Sequence, residues 1–185
     1  MNIKNILAPD KKKLSNLLFE RAEIYFELKD YNKCIDDLEN VITINGFVNF
    51  NAYLLLSISL RNTGNYMKSK EIIDKAIQLS EQPFPKFYIE RGITNFRLGD
   101  YTQAVRDFLE GLNFTAFYPE ANRMLALTYD KLGDIQGTMK NMIMAAEQGD
   151  LIAQQYIKKL GNFMDNEYNA LFPDSNLDNQ SFNNN

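Results

Sequence analysis

The side chains best suited to chemistry in this sequence are one thiol and one group of carboxylates. Cys34 is followed, after Ile35, by the acidic stretch 36–39, which contains two Asp and one Glu. A thiol can act as a nucleophile, and neighbouring carboxylates can bind a cation or exchange protons. The sequence has no His and only one Cys, which excludes Ser-His-Asp and Cys-His catalysis, His-ligated metals and an internal disulfide. It also lacks the P-loop, G-x-G-x-x-G, H-E-x-x-H and C-x-x-C motifs, so we predict a non-enzyme without catalytic residues, metal or cofactor.

Each of these groups also has a structural interpretation, which we favour. Similar segments further along the chain carry small residues at the place of Cys34, namely Ser69, Ala104 and Thr138. A buried slot for a small side chain therefore explains the thiol. The stretch 36–39 suits the solvated outer face of a helix near its N-terminus. Lys11–Lys13 are too few to predict a nucleic-acid site in a chain of net charge −4 and pI about 5.0.

The elements that position these residues recur along the chain. Four segments align, anchored at Tyr31, Tyr66, Tyr101 and Ile135, with separations of 35, 35 and 34 residues. Each unit contains two runs of helical apolar periodicity, and in the last three units Gly-Asn or Gly-Asp joins them. Gly ends a helix in the left-handed conformation and Asp or Asn caps the next, which predicts antiparallel helix pairs. The first unit has Lys29-Asp30 instead, where a left-handed Lys would cost roughly 1 kcal/mol.

Over about residues 15–148 the units resemble the tetratricopeptide repeat (TPR), most closely in YIERGITNFRLGDYTQAVRDFLEGL. The end of the fourth unit, AAEQGDLIAQQYIKKLG, resembles the related Sel1-like repeat. The resemblance implies an all-α fold, a right-handed α-solenoid of four TPR-like helical hairpins plus a C-terminal capping helix. It also implies a non-enzymatic binding scaffold, since most members of the family bind other proteins.

The predicted domain organisation follows from the repeats. Residues 1–14 form an N-terminal extension, 15–160 the TPR domain, and 161–185 an Asn-rich tail that is disordered from about 173. The repeats span about 15–48, 50–83, 85–118 and 119–150, and the capping helix 151–160. We expect first helices at about 15–28, 50–62, 85–97 and 119–131, and second helices at about 31–44, 66–79, 101–113 and 135–147. Neither a signal-peptide pattern nor a long apolar run is present, which predicts a cytoplasmic protein without membrane insertion.

By resemblance, the first helices line a concave groove. The predicted groove residues are Phe19, Phe26, Leu54, Ile58, Arg61, Lys86, Ile89, Ile93, Phe96, Arg97, Arg123 and Leu127. They combine an apolar line with cations in repeats 2 to 4, while repeat 1 has the acids Glu23 and Glu27. This pattern favours a protein or peptide with apolar anchors and acidic groups. In the alternative interpretation, the apolar residues pack neighbouring helices and the charges are solvated.

The leading hypothesis is an interaction scaffold or adaptor that binds a peptide or helix in this groove. One alternative is a dedicated TPR chaperone, similar to the small acidic ones of bacterial secretion systems. The other is a structural subunit that self-assembles into a homo-oligomer. Family members that bind EEVD-type chaperone tails have Lys and Asn where this chain has Phe19 and Glu23, so we do not expect that ligand.

Overall fold

A computed structural model describes residues 8–44, 48–115 and 117–171 of the 185-residue chain, and the side chains within 11–44, 48–115 and 117–163. Within these ranges the backbone forms nine α-helices and no strand. They are α1 (Ala8–Glu27), α2 (Tyr31–Thr43), α3 (Phe50–Asn62), α4 (Tyr66–Leu79), α5 (Pro85–Leu98), α6 (Tyr101–Phe114), α7 (Pro119–Leu132), α8 (Ile135–Glu147) and α9 (Leu151–Leu171). Each helix packs on the next one along the chain. The predicted all-α repeat fold is confirmed.

The turns inside the helix pairs follow the predicted chemistry. Gly99 has φ +82° at the end of α5, and the side chain of Asp100 accepts a hydrogen bond from the N–H of Gln103 at 3.1 Å. Gly133 and Asp134 repeat this arrangement between α7 and α8. Asn65 differs, because its side chain does not cap α4. In the first pair Lys29 adopts φ +58°, a conformation that L-residues with a Cβ avoid.

The two ends of the stack differ from the sequence prediction. Helix α1 begins at Ala8 and not near residue 15, since Pro9 is tolerated in a first turn and Lys11–Lys13 favour helix. Helix α9 continues beyond residue 160 to Leu171, so part of the predicted tail is helical. The disorder predicted from about residue 173 lies outside the described residues.

Small residues let the two helices of a pair approach closely. A Cβ added to Gly92 of α5 would lie 2.9 Å from the ring of Phe108 on α6. A Cβ added to Gly111 would lie 2.7 Å from the side chain of Ile89. Ala104 on α6 is fully buried as well. The alternation of small and large residues is therefore required by interdigitation of α5 with α6.

Contacts between repeats also use small residues. The Sγ of Cys34 on α2 lies 3.3 Å from the hydroxyl oxygen of Ser59 on α3. One repeat later, the hydroxyl oxygen of Ser69 on α4 lies 3.2 Å from that of Thr94 on α5. Each of these second helices is thus joined to the first helix of the following repeat at an equivalent place.

Repeats 1 and 3 each contain an equivalent ion pair between their first and second helices. Arg21 on α1 donates two hydrogen bonds to the Asp37 carboxylate, at 2.7 and 2.6 Å. Arg91 on α5 contacts Asp107 in the same way and also donates to Asp74 at 2.9 Å. Asp37 is only 4% exposed, so its predicted place on a solvated outer face is wrong. The pairing with Arg21 offsets the desolvation cost of this carboxylate.

Replacing Lys29 by Gly should stabilise the protein by about 0.5–1 kcal/mol, because Gly removes the Cβ strain at φ +58°. Gly99→Ala should have the opposite effect, because a Cβ at φ +82° introduces the same kind of strain. Urea unfolding of both variants measures the two changes. Equal stability of Lys29→Gly and wild type would contradict the strain.

Gly92→Ala should destabilise the protein by about 1–3 kcal/mol, because the new methyl group must displace Phe108. Gly161→Ala provides the matched control in α9, where nothing lies within 4 Å of the added Cβ. Helix propensity alone should make that control neutral or stabilising. The close packing of α5 on α6 is contradicted if the two variants unfold at the same urea concentration.

Candidate functional site

The groove predicted from the repeats corresponds to one row of neighbouring first helices. Helix α5 contacts both α3 and α7. Six of the predicted apolar groove residues are half-buried, so each keeps part of its side chain accessible. They are Phe19, Phe26, Leu54, Ile58, Phe96 and Leu127.

Two predicted groove residues belong to the core. Ile89 is 1% exposed and Ile93 is 5% exposed, and both pack in the cluster around Phe108. Neither has enough accessible surface to anchor a ligand in this structure. We therefore leave both out of the proposed anchors, and their burial agrees with the structural interpretation of the apolar line.

The two aromatic groove residues near the ends of α1 and α5 have a partner within their own repeat. Phe96 meets Tyr101 edge-on with ring centroids 5.5 Å apart, and Phe26 meets Tyr31 in the same way at 5.7 Å. These contacts fix the orientation of each Phe ring. Each ring is therefore a rigid surface for a ligand, with part of it already covered.

Arg61 is neutralised by an acid that the sequence analysis missed. Its guanidinium donates to the carboxylate of Glu90 on α5 at 2.9 Å, and the two side chains are 17% and 14% exposed. Burial raises the pKa of Glu90, while the charges of Arg61 and Lys86 oppose that shift. Glu90 directly follows Ile89, a predicted groove position, but its side chain reaches the preceding first helix. Helix periodicity places Glu90 on the side of α5 that faces α3, but it does not identify Arg61 as its partner.

Arg123 on α7 is neutralised as well. It donates to the carboxylate of Asp150, which precedes α9, at 2.9 Å, and lies 3.7 Å from Glu120. Burial favours the neutral form of Asp150, but the N–H of Ala153 and the Arg123 guanidinium outweigh this and lower its pKa. The Arg123–Asp150 ion pair thus connects the start of α9 to the fourth repeat.

Two predicted cations remain available on α5. Lys86 and Arg97 are exposed, and within the described side chains neither forms an ion pair with an acidic group. Glu23 and Glu27 on α1 are exposed too. The groove therefore has an acidic end at repeat 1 and a basic stretch at repeat 3, and its positive charge is smaller than the sequence suggested.

An apolar cleft of about 480 Å³ opens beside the groove, between the end of α7, the start of α8 and the middle of α9. Its wall includes Asp130, Ile135, Met139, Tyr156 and Leu160. In repeats 1 and 3 a Phe and a Tyr pack together at the places of Asp130 and Ile135. Repeat 4 has neither ring at these places, where the cleft lies. The departure of Ile135 from Tyr was the sequence signal for this cleft.

The groups first considered for chemistry are structural where the chain is described. Cys34 is 0% exposed, and burial raises the pKa of its thiol. Asp37 is committed to Arg21. No group of three or more His, Cys, Asp or Glu among the described residues could hold a metal ion. Every helix in the described ranges is too short or too polar to cross a bilayer.

Comparison with known proteins identifies the repeat type. The family profile of the tetratricopeptide repeat matches residues 15–47 and 50–83. A curated relative, "Photosystem I assembly protein Ycf3" of Cyanophora paradoxa, is 26% identical over 133 residues, or 71% of this chain and 72% of the relative. The Sel1-like resemblance of the fourth unit stays a prediction.

Solved structures share the fold at low sequence identity. MamA has a TM-score of 0.67 at 17% identity, covering 82% of this chain and 86% of its own. MamA from Desulfovibrio magneticus RS-1 has a TM-score of 0.70 at 15% identity, covering 85% and 89%. YrrB, described as "a TPR protein with an unusual peptide-binding site", has a TM-score of 0.66 at 15% identity, covering 78% and 74%. These similarities establish the helical repeat architecture.

The native thiol should react slowly with a thiol reagent, because Cys34 is buried and its pKa is raised, so little thiolate is accessible. We expect full labelling only after unfolding in urea. The reaction of 5,5′-dithiobis(2-nitrobenzoic acid) followed at 412 nm measures both rates. Labelling of the folded protein as fast as of the unfolded chain would contradict the assignment of Cys34 to the core.

Proposed function

We propose, from the tetratricopeptide repeats that this chain carries, that it is a non-enzymatic scaffold that binds a segment of another protein in its concave groove. The segment would lie along the first helices and contact α3, α5 and α7. The observation that carries the proposal is the combination of accessible apolar side chains with the exposed cations Lys86 and Arg97 on one row of helices. Packing of the core requires neither the accessible apolar surface nor the exposed cations.

The apolar side chains of this surface are held in fixed positions on α3 and α5. Leu54 and Ile58 on α3 and Phe96 on α5 are half-buried, so the scaffold already holds them rigid while part of each side chain stays exposed. Ordered apolar side chains lose little entropy on binding, and truncation of such an anchor often costs about 2 kcal/mol or more. These residues are therefore the proposed anchors of the groove.

The charges give the proposed ligand a direction. Lys86 and Arg97 would attract an acidic group toward α5, whereas Glu23 and Glu27 on α1 would repel one. The apolar cleft beside Ile135 offers a further place for a large apolar side chain at the α9 end. A ligand with an acidic group between two apolar anchors fits this order best.

One relative favours a more specific role. The curated relative is named as a photosystem I assembly protein. An assembly or chaperone role for this chain is therefore the second candidate, and it includes the secretion-system chaperone considered above. The cytoplasmic location stays a prediction. Both roles use the same groove and differ in the fate of the bound protein.

The proposal is tested by selecting ligands for the purified protein from a random 16-residue phage-displayed peptide library. We expect enriched peptides that combine an acidic residue with apolar residues. Binding of one labelled enriched peptide is then measured by fluorescence anisotropy at two salt concentrations. Arg97→Glu should weaken binding and reduce its salt dependence, and Ile58→Ala should weaken it about tenfold or more.

Matched variants on second helices serve as controls. Arg106→Glu on α6 makes the same charge change at an exposed place outside the groove, and Ile143→Ala on α8 makes the same truncation. Both should bind the peptide as wild type does. The groove is the wrong site if groove and control variants bind equally well, while removal of residues 172–185 abolishes binding.

A further inference from the structure

The outer face of α1 has the residues of a repeat interface but no preceding helix to cover it within the described chain. In repeats 2 to 4, two places on each first helix are buried against the preceding second helix. The residues at the first place are Ala52, Phe87 and Ala121, and those at the second are Ser59, Thr94 and Thr128, all at most 1% exposed. The contacts of Ser59 with Cys34 and of Thr94 with Ser69 identify the preceding helix as their partner.

In repeat 1 these two places hold Leu17 and Ile24, which are 54% and 59% exposed. Leu14 on the same helix is 52% exposed, and Leu28, directly after α1, is 70% exposed. Together they form an apolar stripe along one side of α1, and the largest apolar patch on a monomeric protein, typically about 300–600 Å², is often a functional surface. A solvated end of the stack would favour polar residues here, because terminal repeats need a polar outer face.

The one charged residue within the stripe is already paired. Arg21 lies between Leu17 and Ile24 along the helix, and its guanidinium makes two hydrogen bonds to Asp37. Covering the stripe would therefore not leave a bare charge in an apolar interface. The stem of Arg21 would add apolar contact area.

We propose that a second copy of this chain covers the stripe, with the two α1 helices packed antiparallel about a two-fold axis. Leu14, Leu17, Arg21, Ile24 and Leu28 follow one another at intervals of three, four, three and four residues. This is the spacing of the contact seam in two-helix coiled coils. In the sequence the same spacing continues upstream through Asp10 to Leu7 and Ile3.

The charges beside the stripe select the antiparallel arrangement. Lys13, Glu20 and Glu27 form an exposed row along one side of it. In an antiparallel pair the same row of each copy lies side by side with opposite direction. Each Lys13 then faces Glu27 of the other copy, which gives two equivalent ion pairs. Glu20 then lies near the axis and faces Glu20 of the second copy, and this one like-charge contact is outweighed by the two Lys13–Glu27 pairs. In a parallel pair the row would instead face Leu18 and Tyr25, which offer no opposite charge.

The dimer goes beyond the proposed peptide binding and does not depend on it, and Glu27 is the one residue that borders both surfaces. The stripe lies on the side of α1 that would face a preceding repeat, whereas the groove lies on the side that carries Phe19 and Glu23. Both grooves of a dimer would stay accessible. Two linked grooves would favour partners with two binding segments, through effective concentration.

Sedimentation equilibrium of the full chain over a range of about 1–500 μM tests the proposal. A small interface of this kind should give a weak, reversible dimer that dissociates within this concentration range. Leu17→Glu and Ile24→Glu should each raise its dissociation constant at least tenfold. Leu109→Glu on α6 is the control, because Leu109 is 45% exposed on a second helix and this variant should dimerise as wild type does. Circular dichroism verifies that each variant is folded.

A charge exchange tests the direction of the helices. Lys13→Glu should weaken the dimer severalfold, since it places like charges opposite Glu27 of the second copy. Combining Lys13→Glu with Glu27→Lys should restore it, and this recovery is expected of the antiparallel pair alone.

Three results would overturn the proposal. One is a wild-type chain that stays monomeric over the whole range. Another is a wild-type monomer that dimerises once residues 1–7 are removed, because the chain's own N-terminal segment would then be the occupant. The third is an oligomer that survives Leu17→Glu but dissociates with Phe163→Glu on α9, which would indicate end-to-end assembly instead.

Discussion

The fold depends on the contact between each second helix and the first helix of the next repeat. A single helix pair buries one side of its apolar surface, and a neighbouring pair must cover the other. The contacts of Cys34 with Ser59 and of Ser69 with Thr94 lie at this junction, where small side chains allow the helices to approach. A one-dimensional stack follows. The apolar surface of every interior repeat is covered by its two neighbours, whereas the outer surface of each end repeat must be covered or made polar in another way.

The part of the structure that recurs along the chain could be predicted from the sequence. From α3 to α8 the predicted helix starts agree with the structure and the predicted ends nearly so, because Gly-Asp turns and apolar periodicity are local signals. The slots at Gly92 and Ala104 were also predictable, since four aligned units show which places accept only small residues. Alignment of the four units of this chain with one another therefore reveals the packing that all repeats share.

Interactions that occur once could not be predicted in this way. Glu90 neutralises Arg61 across two first helices, and Arg123 finds Asp150 beyond the end of its repeat. Both pairings depend on how far one helix is displaced from another, which the repeat spacing does not specify. The burial of Ile89 and Ile93 could not be predicted for the same reason. Groove positions assigned by family resemblance do not specify how deeply each side chain is buried between neighbouring helices.

The places where this chain departs from its own repeat pattern are therefore the most informative about binding. A residue that recurs in every unit is explained by packing, as the small residue at Cys34 is. Asp130 and Ile135 stand where repeats 1 and 3 have a packed Phe and Tyr, and they line a cleft. Leu17 and Ile24 take places that are buried in the other repeats and form an exposed apolar stripe. Neither departure helps the stack, because an open cleft loses packing and an exposed stripe loses solvation. A surface contact that compensates these losses is a physical reason to look for partners at these two places as well as along the groove.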